Sequence, residues 1–130
     1  MEKCRIAVEL FLSKLNFSEV SALGKQLEKE GIKAILMPPE DRGMNVHLVI
    51  EKSDLQKVKI KLTKEKISFM EKEVIIVGLD NKPGELSDIT AKISSKGINL
   101  LYAFAVSMSP DFSYVLLGTS DNPAALKVLS

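Results

Sequence analysis

The chain has 130 residues, 45% hydrophobic and 27% charged, and its 18 basic and 17 acidic residues leave a net charge of +1; this is a globular composition, and it gives no global field to gather nucleic acid or an anionic membrane. A single cysteine, Cys4, excludes an intrachain disulfide and a cysteine zinc cluster, and a single histidine, His47, argues against two-histidine metal sites and most histidine-based catalysis. No apolar run approaches the roughly 20 residues of a membrane span, and Met1-Glu2-Lys3-Cys4-Arg5 is not the start of a signal peptide, so the expectation is a cytoplasmic protein.

Arg5 to Leu12 alternates, with Ile6, Val8, Leu10 and Leu12 on one face and Ala7, Glu9 and Phe11 on the other, which predicts a strand. Ser18 is placed to cap a helix carrying Val20, Leu23 and Leu27, which Gly31 stops. Ile32 to Met37 reads as a second strand ended by Pro38-Pro39, Glu40 to Gly43 as a polar turn, and Val46 to Ile50 as a third strand. Ser53-Asp54 opens a helix with Leu55, Val58 and Leu62 inward, and Ile67 to Met70 reads as a short fourth strand. The order is β-α-β-β-α-β, the ferredoxin-like plan.

The pattern then restarts. Val74 to Leu79 reads as a strand, and Asp80-Asn81-Lys82-Pro83-Gly84 as a loop in which Pro83 suits the first turn of a helix. Leu86, Ile89 and Ile93 mark that helix, which Gly97 ends. Ile98 to Val106 and Phe112 to Gly118 read as strands around a turn containing Pro110, and Asp121-Asn122-Pro123 starts a last helix. Gly31-Ile32 and Gly97-Ile98 stand 66 residues apart, and the same offset carries Val20, Leu23 and Leu27 onto Leu86, Ile89 and Ile93. That is the signature of an internal duplication. The fold class expected is α+β: two repeats, residues 1–71 and 72–130, each an antiparallel sheet with helices on one face. The chain ends before a last strand for the second repeat, so one sheet edge there is open, covered or completed by another segment. Leu100 to Val106 and Val74 to Val77 are apolar on both faces, so the second face is expected to be covered as well, by the first repeat or by a second chain.

The run from Val74 through Asp80-Asn81-Lys82-Pro83-Gly84-Glu85-Leu86, followed by Gly97-Ile98-Asn99-Leu100, resembles an ACT domain, in which a strand leads into Asp-x-x-Pro-Gly-x-Leu, a helix and Gly-Ile-Asn. The likeness spans about residues 72 to 129, and the whole chain resembles small proteins made of two ACT domains in tandem. The first repeat departs from the motif: Phe17 and Ser18 stand where Pro83 and Gly84 do, and Lys33 replaces Asn99. The resemblance implies a regulatory protein that binds a free amino acid, acts through assembly or a partner enzyme of amino-acid metabolism, and needs no cofactor. It places the ligand at Asn81, Lys82, Pro83, Gly84, Glu85 and Leu86, against Asn99, Leu100 and Leu101 of a neighbouring domain's second strand. The chemistry of the loop agrees. Unpaired backbone N–H groups at a helix N-terminus stabilise an anion such as a carboxylate, and glycine has no side chain to hold a ligand off the backbone.

Other residues read as structural. His47 is expected at a surface or interface and Cys4 is incidental; Lys57, Lys59, Lys61, Lys64 and Lys66 form a solvated helix face. Glu40-Asp41 lacks the fixed geometry of an acid/base pair. There is no P-loop and no nucleophile-base motif, so the chain reads as a non-enzyme. Two functional classes remain, a regulatory amino-acid-binding homodimer and a structural scaffold for a partner protein that binds nothing small.

Overall fold

The structure is a computed structural model that describes residues 4–13, 15–37, 45–80, 82–108 and 112–130. The turn expected at Glu40–Gly43, Pro38-Pro39, Pro110 and the candidate Asn81 lie outside these residues. In chain order the elements are β1 (Cys4–Ser13), α1 (Phe17–Lys29), β2 (Ala34–Met37), β3 (Asn45–Glu51), α2 (Leu55–Lys64), β4 (Phe69–Asp80), α3 (Glu85–Ser95), β5 (Leu100–Met108), β6 (Phe112–Thr119) and α4 (Asn122–Leu129). They form an α+β protein with two compact units. The first unit is Ala7–Lys72; the second is Glu73–Ser130 together with the amino-terminal residues up to Ile6.

In the first unit the strand order is β2-β3-β1-β4, and β3 pairs antiparallel with both β1 and β2. Val8 lies opposite Ile50, Leu10 opposite Leu48 and Leu12 opposite Val46. This row packs with Leu23 and Leu27 of α1 and Val58 and Leu62 of α2 into one buried core. The other face of the same strands is buried too, at Ala7, Glu9, His47 and Val49. On the outside of α2, Lys59 pairs with Glu71, and Lys61 pairs with Glu30 at 2.9 Å.

In the second unit the order is β1-β4-β6-β5, with β6 antiparallel to β4 and β5. Ile75, Val77 and Leu79 of β4 and Val115 and Leu117 of β6 form its core with Ile89 and Ile93 of α3, Ala125 of α4 and Cys4. No strand follows α4. The position beside β4 is filled by the start of β1, and Cys4 is buried in this core. The edge left without a strand of its own is thus completed by the other end of the chain.

Several expectations are corrected. The strands read separately at Ile67–Met70 and Val74–Leu79 belong to one continuous 12-residue strand, Phe69–Asp80. The cap of α1 is Asn16, not Ser18: Asn16 Oδ1 accepts from Glu19 N at 2.9 Å while Asn16 N donates to Glu19 Oε1 at 3.1 Å. Both ends of this capping box satisfy a donor that Ser18, already inside the helix, does not reach. Pro83 precedes the N-cap Gly84 instead of standing in the first turn of α3. His47, expected at a surface or an interface, is buried within the chain. Along β5, whose second face is expected to be covered by the first repeat or by a second chain, Leu101 is 56% and Phe104 40% exposed among the described residues.

Three helices close alike. After α1, Ile32 N donates to Leu27 O at 2.9 Å and Gly31 N to Glu28 O at 3.0 Å; after α3, Ile98 N donates to Ile93 O and Gly97 N to Ser94 O; after α2, Ile67 N donates to Leu62 O and Lys66 N to Thr63 O. These are Schellman closures, which put the pivotal residue in the left-handed region. Gly31 and Gly97 have φ +76, and Lys66 has φ +59.

Candidate functional site

Strand β4 ends at Asp80 and α3 begins at Glu85, so the connection is short. Lys82 N donates to Asp80 O at 2.8 Å, and Asp88 N donates to Gly84 O at 2.8 Å in the first turn of α3. Gly84 is the N-cap with φ +89, a left-handed conformation, although an added Cβ would meet nothing within 4 Å. Backbone geometry, not crowding, is what asks for glycine here. With no side chain, Gly84 leaves the first N–H groups of the helix uncapped by its own residue. Glu85 and Asp88 lie in the same first turn, where their charges complement the positive helix end.

A cleft of about 450 Å³ opens beside this loop. Lys82, Pro83, Glu85 and Leu86 line it from the loop and α3, Leu79 and Asp80 from β4, Ala105 from β5, and Ser113 and Val115 from β6. The antiparallel register sets Ala105 opposite Val115 and Leu79 opposite Ser113, which brings these three strands to one wall. A smaller hollow of about 160 Å³ shares Leu79, Asp80 and Glu85 and reaches Cys4, Ile89 and Leu129.

Four of the residues expected from the sequence therefore meet at the cleft, and Gly84 forms its helix cap. Asn99, Leu100 and Leu101 do not line it. Asn99 N donates to Ser120 Oγ at 3.0 Å, and Ser120 N donates to Asn99 O at 2.9 Å, so that residue ties β5 to the end of β6. Leu100 packs against the core, and Leu101 is exposed on the edge strand. Sequence reasoning missed Leu79 and Asp80 at the end of β4, and Ala105, Ser113 and Val115, which the β4–β6 and β5–β6 pairings bring in. The first unit has a hollow of about 640 Å³ between α1 and β2, lined by Val20, Gly24, Ile32, Ala34 and Leu48 with Lys25, Glu28 and Lys33. It has no proline–glycine loop.

Among the described residues no group of three or more histidine, cysteine, aspartate or glutamate side chains is arranged to hold a metal ion, and no helix is long and apolar enough to cross a membrane.

No protein-family model matches this chain, and no curated protein matches it. Solved structures do. A protein from Bacteroides thetaiotaomicron is similar with a TM-score of 0.77 at 19% identity, over 98% of this chain and 87% of that one. The regulatory subunit of aspartate kinase from Thermus thermophilus, in its ligand-free form, is similar with a TM-score of 0.63 at 13% identity, over 98% and 95%. The aspartate kinase of Clostridium acetobutylicum, described as an allosteric enzyme, gives 0.60 at 19% identity, over 98% of this chain and 32% of the enzyme. The fold is ACT-like. At such identities the likeness is one of fold, on which unrelated functions can be carried.

Proposed function

We propose that this protein is a regulatory small-molecule-binding module that takes a free amino acid at the cleft beside Lys82–Leu86 and acts through assembly or a partner enzyme, without catalysis of its own. The observation that carries the reading is the uncapped start of α3 opening onto that cleft, on a fold shared with regulatory subunits of aspartate kinase. The ligand carboxylate would meet the N–H groups at the helix start, and its amino group the carboxylates of Asp80 and Glu85. The two halves, residues 1–71 and 72–130, are read as a tandem of ACT-type repeats in which the second holds the working site. Residues Asn99, Leu100 and Leu101 of a second copy would close the cleft, with the open β5 edge as part of a homodimer contact.

Calorimetry and thermal shift with the common amino acids test this, because a true ligand stabilises the fold as RT ln(1 + [L]/Kd). Gly84→Val should abolish binding, and Gly84→Asn, which tolerates the left-handed conformation better, should weaken it while the fold persists. Asn16→Ala should leave binding intact. If no amino acid binds, the scaffold reading replaces this one, favoured by the exposed Leu101, Phe104 and Tyr114.

A further inference from the structure

Resting on the amino-acid reading of this cleft, we propose that it selects a neutral aliphatic amino acid and rejects acidic ones. The walls that would receive a ligand side chain are mostly apolar, Leu79, Pro83, Leu86, Ala105 and Val115, with the single hydroxyl of Ser113 among them. The charged side chains among the lining residues are the carboxylates of Asp80 and Glu85 and the ammonium of Lys82. An amino acid brings one carboxylate and one ammonium of its own. The helix start and Lys82 answer the first, and the two acidic side chains answer the second. Among the described residues lining the cleft, Lys82 is the one cationic group, and none is left over for a second carboxylate.

A glutamate side chain entering here would give up water against apolar walls while facing two like charges. A lysine side chain is drawn by those charges, but must keep its ammonium in water while its stem lies on the wall. A leucine side chain meets neither cost. Each methylene that it buries should tighten binding about fourfold, so affinity should climb from alanine to leucine.

The test is calorimetry on the full chain with alanine, leucine, lysine and glutamate. Leucine should bind at least about tenfold more tightly than alanine or glutamate. Glu85→Gln should narrow the leucine-to-glutamate ratio by roughly threefold, the scale of one partly exposed charge. Ala105 is exposed on β5, so Ala105→Glu should keep the melting temperature and weaken leucine while leaving alanine less affected. Glutamate binding as tightly as leucine, or lysine binding more tightly than leucine, would overturn the selectivity and leave the amino-acid reading standing. Absence of binding by all four would overturn the selectivity, and absence of binding by every common amino acid would overturn both.

Discussion

The Glu9–His47 pair is a buried polar contact inside an apolar sheet. His47 Nδ1 lies 3.0 Å from Glu9 Oε2, both residues are about 95% buried, and the Phe11 ring meets the imidazole edge-on at a centroid distance of 4.5 Å. Removing His47 takes one hydrogen-bond partner from a buried carboxylate, and removing Glu9 takes one from a buried imidazole. His47→Leu should therefore cost about 2–5 kcal/mol of stability, measured by urea denaturation, and Glu9→Leu with His47→Leu should recover most of that loss. The sequence hid this pair for a definite reason. Period-two reading sends the polar members of an alternating strand to water, and the partners sit on different strands, related only by a register that sets Phe11 against His47. A second case is Gly118, where an added Cβ would overlap the Tyr102 ring. Gly118→Ala should turn that ring away from its tilted contact with Phe104, 5.6 Å between centroids, and shift the tyrosine signals in a two-dimensional NMR spectrum.

Helix ends show which local signals a sequence carries. Gly31 and Gly97 were legible as stops because glycine alone adopts φ near +76 without strain. The equivalent position after α2 holds Lys66 at φ +59, and nothing in its residue type announces the closure. Lys66→Gly should stabilise the protein by about 1 kcal/mol through relief of that conformation, visible as a higher melting temperature. At the other end of a helix, the capping box at Asn16 predicts that Asn16→Ala loses about 1 kcal/mol, whereas Ser18→Ala changes stability by less than about 0.5 kcal/mol. The error over Ser18 came from two serviceable caps standing close together; only the one three residues before a glutamate can form the reciprocal pair.

Over the whole chain, element order and core rows were written in hydrophobic periodicity, because burial on one face is a local property of each segment. The cleft was half legible. Its loop lies in one short stretch, while the wall from Ala105, Ser113 and Val115 exists only once β4, β6 and β5 pair. The β5 edge, with Leu101 and Phe104 in solvent, predicts self-association: sedimentation at tens of micromolar, about the range in which a standard-size interface holds, should give a dimer, and Leu101→Lys with Phe104→Lys a monomer. The sharing of strands also orders events in time. The first unit is one continuous stretch, Ala7–Lys72, so it can close without any residue that follows Lys72. The second unit draws on two separate stretches, the segment up to Ile6 and Glu73–Ser130. Its strand segment Cys4–Ile6 finds its neighbour only when β4 and the helices that cover that strand are complete. A segment that precedes the first unit is thus placed only after residues that follow that unit.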